Sequence, residues 1–238
     1  MATLASLLAK APLVAILRGI RPAEIPGIAA ALIETGFRIL EVPLNSPEPL
    51  ESIARLARGH GGEALVGAGT VRRVSEVEAV HAAGGRLIVM PHADAAVVRR
   101  AKELGMLAIP GFLTPSEAFA MIDAGADGLK LFPAEAASPA VLRSLRAVLP
   151  KEIPILPVGG IDAGSIPAWL QAGADGFGIG SALYKPGIDA AEIALRGRKL
   201  MQALPGNASA AAGWPLASVK RRRPPPAPPR PRSTSRTS

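Results

Sequence analysis

Eight short apolar stretches alternate with segments of helical spacing, and five of those segments end in a glycine. That grammar predicts an α/β chain closed as a single (β/α)8 TIM-type barrel. The length of 238 residues and the hydrophobic share of 49% fit the class, since such a barrel takes about 250 residues as one domain. A doubly wound open sheet is the alternative. It would show its strands in unequal halves and a glycine fingerprint after the first strand, where this chain reads LRGIRPAE.

The chain opens with MATLASLLAKAP, in which Leu4, Leu7 and Leu8 suit a short amphipathic helix. Without a basic n-region this opening is not a signal peptide. Strands are expected at Leu13 to Leu17, Ile39 to Val42, Leu65 to Gly67, Leu87 to Met90, Leu107 to Ile109, Gly128 to Leu131, Ile155 to Val158 and Gly176 to Ile179. Their spacing leaves room for one helix and two short connections each, as parallel strands require. Gly36, Gly84, Gly105, Gly125 and Gly173 sit where a helix exit needs a left-handed residue. The phrase AGAD occurs twice, at Ala124 to Asp127 and Ala172 to Asp175, each time between a helix and a strand. Thr114, Pro115 and Glu117 form a helix start with a capping box, which places a loop at Pro110 to Leu113.

The net charge of +8 is unevenly placed. Residues 206–238 carry seven basic side chains and no acid, which leaves +1 for residues 1–205. The division is therefore a barrel over 1–205 and a disordered Pro/Arg/Ser-rich tail over 206–238, whose composition cannot offset the entropy of ordering. Nucleic acid is expected only as a non-specific contact of this basic tail, which lacks interleaved aromatics and a recognition helix. Pro224 to Pro231 could serve as a polyproline ligand. With no cysteine there is no disulfide, thiolate nucleophile or zinc-thiolate site. No run approaches the about 18 apolar residues of a membrane span. A cytoplasmic protein fits.

The chemistry centres on GLKLFPA, Gly128 to Ala134, where Lys130 interrupts a buried strand. Strand alternation points it opposite to Leu129 and Leu131. A snorkelling or ion-paired lysine is the plain reading. The functional one is a Schiff-base nucleophile, because an apolar wall lowers the amine below its usual pKa of about 10.4. In a barrel the C-terminal strand ends converge on one face. There the first strand ends in Arg18, the second carries Glu41, and the third leads through GAGT to Thr70. The last two run into Gly159-Gly160 and Gly180-Ser181, where barrels commonly bind phosphate. Singly these could be a rim ion pair, a helix cap and tight turns. Together they supply a nucleophile, an acid/base, a carboxylate anchor and a phosphate cradle, the equipment for cleaving a phosphorylated 2-keto acid.

The segments LVAILRG, EVPLNSP, GAGTV, GLKLFPA, PVGGI and GIGSALY occur in order between Leu13 and Tyr184. The chain thereby resembles the class I 2-keto-3-deoxy-6-phosphogluconate and 6-phosphogalactonate aldolases. The resemblance implies a homotrimeric barrel that splits its substrate into pyruvate and D-glyceraldehyde 3-phosphate without metal or other cofactor. It implies Lys130 as the Schiff-base lysine and Glu41 as the general acid/base. Arg18 and Thr70 would lie near the pyruvyl carboxylate, and Gly160, Gly180 and Ser181, with Gly159 adjacent, at the phosphate. Asn45 stands where the gluconate type usually has arginine, and Val158 where it commonly has threonine. Both resemble the galactonate branch, so the galactonate compound is the expected substrate. The gluconate epimer is the alternative, and a phosphate-binding barrel isomerase a more distant one. Metal-dependent cleavage is not expected, because His60, His81 and His92 are far apart in sequence. His92, after the fourth strand, is either a pocket residue or a loop histidine.

Overall fold

The computed structural model describes residues 3–205, so the expected tail at 206–238 lies outside the described residues. The strands are β1 (Leu13–Ile16), β2 (Ile39–Pro43), β3 (Leu65–Gly69), β4 (Leu87–Val89), β5 (Leu107–Ile109), β6 (Gly111–Phe112), β7 (Leu129–Leu131), β8 (Ile155–Pro157) and β9 (Phe177–Ile179). The helices are α1 (Leu4–Leu8), α2 (Ile25–Glu34), α3 (Pro49–His60), α4 (Val74–Ala82), α5 (Ala95–Glu103), α6 (Pro115–Asp123), α7 (Pro139–Arg146), α8 (Ile166–Gln171) and α9 (Ala190–Gln202). None of these helices is long and apolar enough to cross a membrane.

Every strand pairing is parallel, and the curled sheet comes in two pieces. One has six strands in the order β5-β4-β3-β2-β1-β9, the other three in the order β6-β7-β8. The break falls at Pro110, which has no N–H to give a ladder. Before it, β5 pairs with β4; after it, β6 pairs with β7. The fifth expected strand is β5, but the loop expected at Pro110 to Leu113 holds a further short strand, β6, so Lys130, expected on the sixth strand, lies on β7. A parallel bridge between Val158 and Gly178 links the ends of β8 and β9.

Alternation along the strands sorts side chains into two apolar layers. Leu40, Val42, Leu129 and Leu131 face the helices, in the large cluster between sheet and helices. Val14, Ile39, Leu65, Leu87, Ile109 and Leu156 face the other way and pack with Leu4, Leu7 and Leu8 of α1. The short opening helix is held by a capping box between Thr3 and Ser6, and its three leucines floor the sheet's concave side. A Cβ on Gly176 would meet Leu8 at 2.9 Å and the carbonyl oxygen of Pro12 at 2.6 Å, so the floor is tight.

The five glycines expected at helix exits all have positive φ, between 70° and 101°. The repeated AGAD builds one device twice. Asp127 accepts from the N–H of Ala108 at 2.9 Å and pairs with Lys102. Asp175 accepts from the N–H of Ile155 at 2.8 Å and pairs with Arg146. Each carboxylate thus satisfies an N–H at or near the start of a neighbouring strand and a cation near the end of a helix, which fixes the helix-to-strand return. The expected capping box at Thr114 and Glu117 is also present.

Candidate functional site

The sheet's inward alternation brings Glu41 from β2 and Lys130 from β7 into one small cavity. Val14, Ile16, Val89, Ile109 and Leu156 make most of its wall, so two ionisable groups face a nearly dry space. Both are buried, with relative exposures of 2% for Glu41 and 6% for Lys130. Register explains their placement: Glu41 lies opposite Ile16 of β1 and Gly67 of β3, and Lys130 opposite Gly111 of β6 and Leu156 of β8.

Electrostatics push both toward neutrality. Burial raises Glu41 from 4.5 to about 7, with the charges of Lys130 and Arg18 pulling the other way. Burial depresses Lys130, Glu41 opposes that shift and Arg18 reinforces it. Lys130 Nζ also lies 4.3 Å from the ring centroid of Phe132, a contact that favours the ammonium and limits the depression. Among the described residues, Oε2 of Glu41 is buried without a hydrogen-bond partner. A carboxylate oxygen left unpaired in a cavity is a group held for something that enters it.

Glycine creates the space for that carboxylate. A Cβ on Gly69 would stand 1.8 Å from Glu41 Oε2, so any side chain there would displace the acid. The next residue, Thr70, has φ 58°. For a β-branched residue that left-handed conformation costs on the order of 1–3 kcal/mol, and such strain concentrates at functional sites.

At the rim, Arg18 Nη1 donates to Asn45 Oδ1 at 2.6 Å, and the N–H of Gly19 donates to Ser46 Oγ at 2.9 Å. The ends of β1 and β2 are thereby tied together. Val158 and Gly178 line the cavity from the β8 and β9 side. Gly159 and Gly160 have φ of 112° and 63°, while Gly180 faces open space and Ser181 is exposed. No acceptor among the described residues takes the N–H groups of Gly160 or Ser181, while the Gly159 N–H lies at the bridge to Gly178. An anion can therefore find free donors on this turn.

The structure thus brings Glu41, Lys130 and Val158 into one cavity, couples Arg18 electrostatically to the first two, and sets Asn45 beside Arg18. His92 is not in the cavity wall; its side chain is 43% exposed and 4.0 Å from Asp94. Among the described residues, no three His, Asp or Glu side chains are grouped to hold a metal ion. Sequence reading missed Gly69 and Ser46. The clearest available signal was parallel register, which sets GAGT beside Glu41 and the Gly19 turn beside the loop after β2.

The chain is similar to known proteins along most of its length. A Rhizobium meliloti (strain 1021) protein named "Probable 2-dehydro-3-deoxy-6-phosphogalactonate aldolase" is 45% identical over 185 residues, 78% of this chain and 87% of the relative. The Escherichia coli (strain K12) 2-dehydro-3-deoxy-6-phosphogalactonate aldolase is 44% identical over 178 residues, 75% of this chain and 87% of the relative. A solved native KDPGal structure superposes with a TM-score of 0.80 at 41% identity, covering 81% of this chain and 93% of that one. The family model for the aldolases "KDPG and KHG aldolase" matches residues 4–198. The chain belongs to the KDPG and KHG aldolase family.

Proposed function

We propose that the protein is a class I aldolase that cleaves 2-dehydro-3-deoxy-6-phosphogalactonate to pyruvate and D-glyceraldehyde 3-phosphate. The observation that carries this is a buried amine and a buried carboxyl facing one apolar cavity, the first depressed and the second raised by the same burial. Depression supplies neutral Lys130, which adds to the C2 ketone; the carbinolamine takes up a proton on its hydroxyl and loses water to give an iminium, and the final hydrolysis returns that proton. Glu41 as carboxylate takes the C4 hydroxyl proton. The C3–C4 bond then breaks, its electron pair flows into the iminium, and the aldehyde departs from an enamine. Glu41, now protonated, returns the proton to C3, and water hydrolyses the resulting iminium to pyruvate and free Lys130. A carboxyl poised at about 7 can do both halves near neutral pH.

Arg18 and Thr70 are assigned to the pyruvyl carboxylate, and Gly159, Gly160, Gly180 and Ser181 to the phosphate, whose free N–H groups and open space support that role. For this site the two sheet pieces act as one closed eight-stranded barrel, a reading supported by the bridge at Val158 and Gly178 and by the hydrogen bond from Lys130 N–H to Pro110 O. The proposed setting is the cytoplasm and the proposed assembly a homotrimer, as the resemblance implies. Reduction with borohydride in the presence of pyruvate should label Lys130 alone, and Lys130→Met should abolish both labelling and cleavage while retaining the fold. Labelling at Lys10, Lys102 or Lys185 in its place would overturn the assignment.

The two epimeric substrates differ only at C4, next to the hydroxyl that Glu41 deprotonates. Val158 offers no hydrogen bond there, and one such contact is worth about 0.5–1.5 kcal/mol, roughly a decade in rate. Val158→Thr should therefore shift the ratio of kcat/KM toward the gluconate epimer by up to about tenfold. A wild type that already favours the gluconate compound more than about tenfold would leave the aldolase but not the galactonate assignment.

A further inference from the structure

Glu135 stands on the 3-10 turn Ala134–Ala136 that follows β7, and this turn is held against β8 by the N–H of Ala134 donating to Val158 O at 2.9 Å. Its side chain lies over the two glycines after β8. A Cβ built on Gly159 would meet Glu135 Oε2 at 2.0 Å, and one on Gly160 would meet Glu135 Cγ at 2.9 Å. Glu135 is exposed, and among the described residues no hydrogen bond or ion pair holds its carboxylate there. The carboxylate thus sits against the backbone of a turn whose Gly160 N–H has no acceptor among the described residues, and it makes no bond to that donor.

We infer that Glu135 is a competing anion at the phosphate cradle, a carboxylate that occupies the Gly159-Gly160 turn in the empty site and must swing out when a phosphate monoester enters. This rests on the phosphate assignment above. A carboxylate does not satisfy this turn as a phosphate would, because it reaches across from a neighbouring loop and makes no hydrogen bond to Gly159 or Gly160. Its charge opposes a dianion at close range in any position it can reach from Ala134 and Ala136. The side chain therefore sets how weakly the site holds phosphorylated ligands, product included, and it tunes release against capture.

Inorganic phosphate is the probe. Competitive inhibition of cleavage by phosphate should strengthen about threefold to tenfold in Glu135→Gln, which keeps the shape and removes the charge, and little in Glu135→Asp, which keeps the charge. The gap between Glu135→Gln and wild type should narrow as ionic strength rises from about 0.01 M to 1 M, because the Debye length falls from about 30 Å to 3 Å. Borohydride labelling with pyruvate reports that each variant retains an intact Lys130 pocket. Equal inhibition constants in all three proteins, or weaker inhibition in Glu135→Gln, would overturn the role of Glu135 and leave the cradle standing. If phosphate competes in none of them while pyruvate still labels Lys130, the cradle assignment falls and this inference with it.

Discussion

Glu41 carries opposite consequences for catalysis and for stability, and both follow from its displacement to about 7. In the unfolded chain the carboxyl sits at 4.5, so the folded state holds the proton more tightly. The associated stability is fully present below 4.5 and is lost as pH rises through about 7. Glu41→Gln removes the buried charge, so it should raise stability relative to wild type at pH 8.5, by up to about 3 kcal/mol, and give much less benefit at pH 4. Denaturant melts at the two pH values measure this; a gain of equal size at both would mean that burial does not act through ionisation. The same variant should slow turnover by about 10²-fold or more in single-turnover kinetics, the scale of a lost general acid/base. Wild-type kcat/KM should fall on the acid side of pH 7 as the carboxylate is protonated. Near-normal turnover in Glu41→Gln would assign the proton transfer to another group.

At the scale of elements, α1 is the part whose worth is easiest to underestimate. It spans five residues, far too short for a stable isolated helix, and it persists because Leu4, Leu7 and Leu8 are buried to 1–2% exposure under the strands. Leu7→Ala should destabilise the fold by about 2–5 kcal/mol, read from the shift of a urea transition. A shift under about 0.5 kcal/mol, the usual size for a surface substitution, would show that the floor is not packed. This helix was readable from leucine spacing, and most strands were readable because glycine at each helix exit marks where one element stops. Pro110 was not read as a break, since a proline between two apolar pairs also suits a loop after a strand; only the change of partner from β4 to β7 reveals it. The two residues assigned to the chemistry were legible because Glu41 and Lys130 are charges inside apolar runs. Asn45 was read as a specificity position, but its bond to Arg18 depends on two loops 27 residues apart meeting in space. Glu135 carried no signal at all, being one acid in exposed loop text.

Taken as a whole, the molecule places its reactive amine near the bottom of a concavity and its candidate phosphate donors at the edge. Val14 joins the cavity to its floor, since it packs with the leucines of α1 and also lines the cavity that holds Lys130. Gly160 and Ser181, in contrast, are exposed. A floored concavity is a blind alley. On the proposed mechanism the three-carbon fragment stays bonded to Lys130 when the aldehyde is released. The aldehyde phosphate must leave first and pyruvate last. Steady-state product inhibition should consequently be competitive for pyruvate and noncompetitive for glyceraldehyde 3-phosphate, and the reverse pattern would overturn the Lys130 adduct as the intermediate. The five-residue helix at the chain's beginning would then close the far side of the concavity, so that both products leave past the rim while the bond to Lys130 fixes their order.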